Sequence, residues 1–233
     1  MLINADVKGL ELVAAADLSK DPILSQEIVN KFDTHADNQA RFNLPARVIA
    51  KIFVFKLLYG GSDYGFSMDA DFLHMGYSRK QWAEVIEAFY TKYKGIKKWH
   101  DGLLETAMRQ GYIEIPSGRY FNFRPTNGRW PLTTIKNYPV QGWGADMVML
   151  ARIELMRRLR ESDIEAKFIC TVHDSLVVDT PEKNVYNISM MLKESIEAVP
   201  LLCRSTFGYN MELPLTCEIQ AGPNKRDMEE IKL

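Results

Sequence analysis

The sequence predicts an α+β fold, with an antiparallel sheet interrupted by a long helical insertion. Strand-like runs stand near both ends of the chain: at Leu2–Val7, at 167–172 and 175–179, and near 211–219. Residues 18–125 between them read mainly as helix. Such a block insertion differs from the one-to-one alternation of strand and helix in a doubly wound parallel sheet. The expected divisions are 1–17, which opens the sheet, 18–125, the helical insertion, and 126–233, the remainder.

Taken in order, the strand Leu2–Val7 passes into a helical stretch from Leu10 to Asp17. Helices are expected around 22–32, 44–59, 79–93 and 96–110. The second of these is the best marked: Pro45 suits a first turn, and Gly60-Gly61 form a stop. A long helix follows at about 140–161, then a hairpin of the two β-rich runs with Asp174 at its turn. A helix at about 183–197 and the last strand complete the chain.

At 233 residues and 46% hydrophobic, the chain is large enough for a real core and excludes a disordered tail, a collagen-like fibre or a disulfide scaffold. Cys170, Cys203 and Cys217 have neither even count nor zinc-site spacing, and are expected as reduced, mostly buried thiols in the cytoplasm. There is no secretory signal and no apolar run long enough for a membrane span, so no membrane association is expected. A net charge of −1 rules out a uniformly basic wrapper of nucleic acid but leaves room for a local basic face. Between Thr91 and Trp130, eight cations oppose three carboxylates, with Tyr93, Trp99, Tyr112, Tyr120, Phe121 and Phe123 interleaved. That mixture suits a phosphate backbone with stacked bases, and suits equally a solvated helix face over core aromatics.

Arg47, Lys51, Phe55 and Tyr59 recur every four residues and share one helix face. Arg47 and Lys51 suit a triphosphate, and Phe55 and Tyr59 a sugar and base. Spacing alone equally fits an amphipathic helix with two exposed cations and two core aromatics. Val48, Ile49, Ile52, Val54, Leu57 and Leu58 are the apolar face.

The full pattern R-x3-K-x3-F-x3-YG resembles the nucleotide-binding helix of family-A DNA polymerases, the bacterial polymerase I class. Two further stretches resemble that family's motifs in the right order. Asp6-Val-Lys-Gly-Leu-Glu11-Leu is similar to D-x-x-x-x-E-L, and Thr171-Val-His-Asp-Ser175 to V-H-D-E. The resemblance implies an antiparallel palm sheet with an inserted helical fingers subdomain, and a template-directed DNA polymerase using primer–template DNA and dNTPs. It implies Asp6 and Asp174 as ligands of two Mg²⁺ ions, with Mn²⁺ able to substitute, consistent with Mg²⁺ taking one or two carboxylates plus phosphate oxygens and water. Lys51 would assist the leaving pyrophosphate.

Further positions follow from the same resemblance. Asp33-Thr-His35 resembles D-I-H-T, making His35 a phosphate contact; the 12 residues from His35 to Arg47 resemble phage replicases more than repair enzymes. Asn137-Tyr-Pro-Val-Gln141-Gly142 resembles N-x-P-x-Q-G, whose Asn and Gln touch the primer–template minor groove. Arg119, in a G-R segment, and His173, beside Asp174, are expected at DNA. Glu11 stands where the family's Glu crowds the sugar 2′ position, disfavouring ribonucleotides. Phe55 lacks the hydroxyl with which some members accept dideoxynucleotides.

Two positions depart from the pattern: Ser175 stands in place of a Glu, and Trp143 in place of a small Thr. The family also places a thumb, the first part of the palm and an exonuclease or exonuclease-like domain before the first motif, whereas five residues precede Asp6 here. A second polypeptide supplying those parts, hence a split polymerase, is expected. The setting would be cytoplasmic, or host cytoplasm for a phage-encoded chain. The alternatives are a non-catalytic subunit binding primer–template or nucleotide, and a metal-dependent phosphodiesterase sharing only the two carboxylates.

Overall fold

The computed structural model describes residues 1–233, which divide into two compact units. The elements run β1 (Leu2–Val7), α1 (Leu10–Ser19), α2 (Pro22–Val29), α3 (Thr34–Arg41), α4 (Arg47–Leu58) and α5 (Asp63–Met68). They continue with α6 (Arg79–Lys92), α7 (Lys94–Gln110), β2 (Tyr112–Glu114), β3 (Tyr120–Asn122) and α8 (Leu132–Glu161). Last come β4 (Lys167–Val172), β5 (Ser175–Asp179), α9 (Val185–Glu197), α10 (Val199–Phe207), β6 (Cys217–Gly222) and β7 (Glu229–Glu230).

The first unit gathers Met1–Leu10, Pro116–Gly118 and Gly142–Leu233. Its sheet has the order β4-β5-β1-β6-β7, with every pair antiparallel. The α+β expectation therefore holds, and β1 lies at the centre because it is paired on both sides. Ile3, Ala5 and Val7 alternate into the core with the buried run Leu176–Val178, while Asn4 and Asp6 face away. Ile188, Leu192 and Ile196 of α9 are fully buried in the same unit, at the i, i+4, i+8 spacing of one helix face. Trp143 is fully buried with its ring against Phe207 and Tyr209, at centroid distances of 6.2 and 5.5 Å. A large core filler thus occupies the position where a small residue was expected.

The second unit comprises Glu11–Ile115 and Arg119–Gln141. Its centre is aromatic: Phe53 stacks on Trp82 at 5.8 Å and meets Phe42, Phe66 and Phe89 within 6.1 Å. A second cluster joins Leu103 and Ala107 to Ile113, Phe123 and Ile135, so the β2–β3 hairpin is seated on α7. Asp21 ties two helices together: Oδ1 accepts from Ile23 and Leu24 at the start of α2, and Oδ2 from Gly95 and Ile96 in α7. The units part near residues 10 and 141, not at the 17/18 and 125/126 junctions read from the sequence.

Several elements differ from expectation. The long helix begins at Leu132, not near 140, and carries Pro139 inside it at the cost of the amide that would bond Ile135. The final strand is Cys217–Gly222; Met211, Leu213 and Leu215 alternate into the core like a strand but pair with nothing. Helices α3, α5 and α10 and the β2–β3 hairpin were not anticipated. On α4, Val48 is 57% exposed, and Phe53 takes the central core place. All three cysteines are free, but only Cys203 is buried; the others are half-buried. No helix is long and apolar enough to cross a membrane.

Candidate functional site

In the first unit, strand register brings the two predicted carboxylates together. Asp6 is the penultimate residue of β1, opposite Ser175 on β5 and Glu218 on β6. Asp174 occupies the turn just before Ser175, and its carbonyl accepts from the Val7 amide at 3.1 Å. The β4–β5 turn is only two residues long and starts with His173 at φ 53°, a left-handed geometry that histidine adopts more readily than most side chains. His173 is thereby exposed, while Asp174 is half-buried.

The Ser175 departure has a structural explanation. Its side chain is 5% exposed, and its hydroxyl donates back to the Val172 carbonyl at 3.0 Å, clasping the turn. Glu218 is a carboxylate that the sequence reading missed. It shares the face of Asp6 by cross-strand register and is paired with Lys8 at 3.7 Å. The alternating pattern of Cys217–Gly222 would have revealed it only with the register known. No group of three His, Cys, Asp or Glu side chains converges to hold a metal unaided. Two carboxylates on adjacent positions still fit a Mg²⁺ site that is completed by phosphate oxygens and water.

In the second unit, α4 presents the cationic stripe. Its apolar side buries Ile49, Ala50, Phe53, Val54, Leu57 and Leu58, which leaves Arg47 and Lys51 exposed and Phe55 and Tyr59 half-buried. The N-cap is Ala46, which offers no side-chain acceptor, so the first-turn amides stay open as an anion site needs. The helix ends because Gly60 turns at φ 88° and Gly61 lies where a Cβ would sit 2.8 Å from the Lys56 carbonyl.

His35 of α3 lies beside this stripe, its ring 5.7 Å from that of Phe55, and Lys51 sits 5.8 Å above the same Phe55 ring. His35 is 8% exposed, and its Nδ1 has no hydrogen-bond partner. Burial, then the charges of Arg47 and Lys51, push its pKa down to about 4, against a smaller opposing effect of Asp33. A neutral, buried imidazole thus lies within the field of two cations.

Tyr59 closes the stripe. Its hydroxyl accepts from Gln141 Nε2 at 2.6 Å, and the phenol is held well above its usual range, first by burial and then by the adjacent Glu11 carboxylate. Glu11, Tyr59 and Gln141 therefore converge, although they come from α1, the end of α4 and α8. Asn137 lies one helical turn before Gln141 on the same face. Arg119 is exposed at the start of the β3 arm, its carbonyl accepting from Ile115 at 2.9 Å.

The basic segment is less uniform than its composition suggested. Lys92 is a core cation: Nζ donates to Glu27 at 2.8 Å, Asp37 at 2.7 Å and Asn38 at 2.8 Å. Lys97 is paired with Asp101 at 2.8 Å, and Tyr93 and Phe123 are core aromatics. Tyr112 and Tyr120 remain exposed on the outer face of the hairpin. The segment thus contains both a surface and a core, which charge counting cannot separate.

The family model described as DNA polymerase family A matches residues 1–227. DNA polymerase I of Geobacillus stearothermophilus is 26% identical over 245 residues, covering 97% of this chain and 26% of that protein. DNA polymerase I of Streptococcus pneumoniae is 28% identical over 232 residues, covering 89% and 25% respectively. The chain thus spans about a quarter of the length of these curated relatives. Among solved structures, the POL domain of Pol1 from M. smegmatis, in complex with DNA primer-template and dNTP, superposes with a TM-score of 0.81. That match has 20% identity and covers 95% of this chain and 39% of the other.

Proposed function

The chain belongs to DNA polymerase family A, and on that premise we propose that it performs template-directed transfer of a nucleotide from a dNTP to a primer 3′-hydroxyl. The observation that carries this reading is the register that sets Asp6 beside Asp174. The first unit is assigned as palm and the second as fingers, each with its own part of the reaction.

Asp6 and Asp174 would hold two divalent ions, Mg²⁺ or in its place Mn²⁺; when bound, these supply charge stabilisation to the attacking and leaving oxygens. Arg47 grips phosphate oxygens through its guanidinium and Lys51 as a point charge, with His35 beside them as a further phosphate contact. As the primer 3′-hydroxyl loses its proton to water and its oxygen bonds to the α-phosphorus, the bond to pyrophosphate breaks, and Lys51 donates a proton to or neutralises that leaving group. Phe55 and Tyr59 receive the sugar and base. Glu11, held beside the Tyr59 hydroxyl, crowds the 2′ position and disfavours ribonucleotides. Asn137 and Gln141 donate to minor-groove acceptors common to all base pairs, so they check pair geometry without reading sequence. Arg119 and His173 contact the DNA.

The remainder of a family member, a thumb above all, belongs to the same proposal, whether it comes from further sequence of this protein or from a second polypeptide. The cytoplasmic setting, or host cytoplasm for a phage-encoded chain, is part of it too. One observation favours a second reading, a non-catalytic subunit binding primer–template or nucleotide: Ser175 brings a clasp in place of a carboxylate. Primer extension separates the two. Wild type and Asp174→Ala are compared, each alone and with any polypeptide that co-purifies. Mg²⁺-dependent extension that Asp174→Ala abolishes supports catalysis. Binding without extension in every combination supports the second reading.

A further inference from the structure

We propose that Asp33 is a positioning residue for the nucleotide site, holding the Arg47 guanidinium in a phosphate-gripping orientation before the triphosphate arrives. The inference rests on the nucleotide-binding reading of α4 and adds a residue that reading does not use.

The geometry is specific. Arg47 Nε donates to both oxygens of Asp33, at 3.1 and 2.9 Å, and these are the guanidinium's only protein bonds. Both η-nitrogens are left to a ligand. Asp33 is itself fixed, because Oδ1 also accepts from the Ala36 amide and so caps α3. One carboxylate therefore anchors the helix that carries His35 and, 14 residues away in sequence, the side chain that opens the cationic stripe. The Arg47 hydrogen bond, then the Ala36 amide, holds the Asp33 carboxyl below the usual carboxylate range, so the anchor stays charged at neutral pH.

Two effects of this carboxylate oppose each other. It adds a negative charge near a polyanion, and it orders a flexible cation. Both partners are about half exposed, so solvent and salt screen the repulsion. An arginine that must be ordered only when the ligand binds costs about two- to tenfold in affinity. Ordering in advance therefore outweighs the screened repulsion.

The test is equilibrium titration of the full chain with Mg²⁺-dATP, comparing wild type, Asp33→Asn, Arg47→Ala and the double variant. Asparagine caps a helix as well as aspartate does, so Asp33→Asn keeps α3 and removes only the ion pair. Asp33→Ser, another good cap, should behave alike. The expected result is about fivefold weaker binding in both Asp33 variants and a larger loss in Arg47→Ala. In the Arg47→Ala background, Asp33→Asn should change nothing further. In primer extension, the KM for dATP should rise with kcat unchanged. Unaltered or tighter binding in the Asp33 variants, with Arg47→Ala still weakened, overturns this inference and leaves the nucleotide reading intact. Unaltered binding in Arg47→Ala overturns the reading itself.

Discussion

The two units place their functional groups by different physical means. In the first, main-chain pairing does it: Asp6 and Asp174 are neighbours because β1 and β5 share a ladder, and a one-residue slip would turn Asp6 into the core. In the second, side chains do it: the stripe on α4 is aligned by helical period, and its members are oriented by contacts such as Asp33 with Arg47 and Gln141 with Tyr59. Ladder geometry leaves little freedom, whereas exposed side-chain contacts leave more. The carboxylate pair should thus govern whether reaction occurs, and the helical unit chiefly how tightly nucleotide is held, with Lys51 adding a smaller effect on rate.

The largest expected effect comes from the sheet. Asp174→Ala should lower the extension rate at saturating dNTP by about 10³-fold or more, with the melting temperature nearly unchanged. A comparable effect on rate from a stripe residue would erase the contrast. Next comes the base on which the stripe rests. Phe53→Ala removes a fully buried ring from the aromatic core and should cost about 3–5 kcal/mol in denaturant unfolding. A loss confined to nucleotide binding, with stability intact, would show that α4 is held otherwise.

A smaller effect is expected at the stripe itself. Lys51→Ala should raise the Kd for dNTP by about tenfold, through loss of one charge-assisted contact, and lower the extension rate by less than Asp174→Ala does, through loss of its help to the leaving pyrophosphate. The mildest test is acid. Burial holds His35 down to about 4 and His100 down to about 3, each below its ordinary 6.5, so the unfolded chain binds more protons in that interval. Stability should then fall as pH drops from about 6.5 towards 4, and His100→Gln should flatten the slope in urea titrations. A slope unchanged in that variant would remove His100 from the account.

What the sequence made legible follows the same division. The strands at Leu2–Val7, 167–172 and 175–179 were readable because apolar runs bounded by turn residues mark them, whereas the carboxylate pair was legible only through the family resemblance of its two motifs. Helix α3 escaped notice because Thr34–Arg41 has almost no apolar face, and α10 because Pro200 resembles a stop although it sits in the first turn. The alternation of Met211, Leu213 and Leu215 imitates a strand; burial without a ladder partner produces the same pattern. Lys92 was counted as a surface cation since composition carries no information about burial. The role of Asp33 depends on a contact between two helices that no local pattern encodes.

The central claim, that a carboxylate pair set by strand register carries the chemistry while the α4 stripe carries nucleotide affinity, is tested most directly by single-nucleotide incorporation across a range of dNTP concentrations. Wild type, Asp174→Ala and Arg47→Ala are compared with the same primer–template. The expected result is a collapse of the maximal rate in Asp174→Ala with nucleotide binding retained, and a rise in the half-saturating concentration of about ten- to a hundredfold in Arg47→Ala. Incorporation by Asp174→Ala at the wild-type maximal rate would contradict the account.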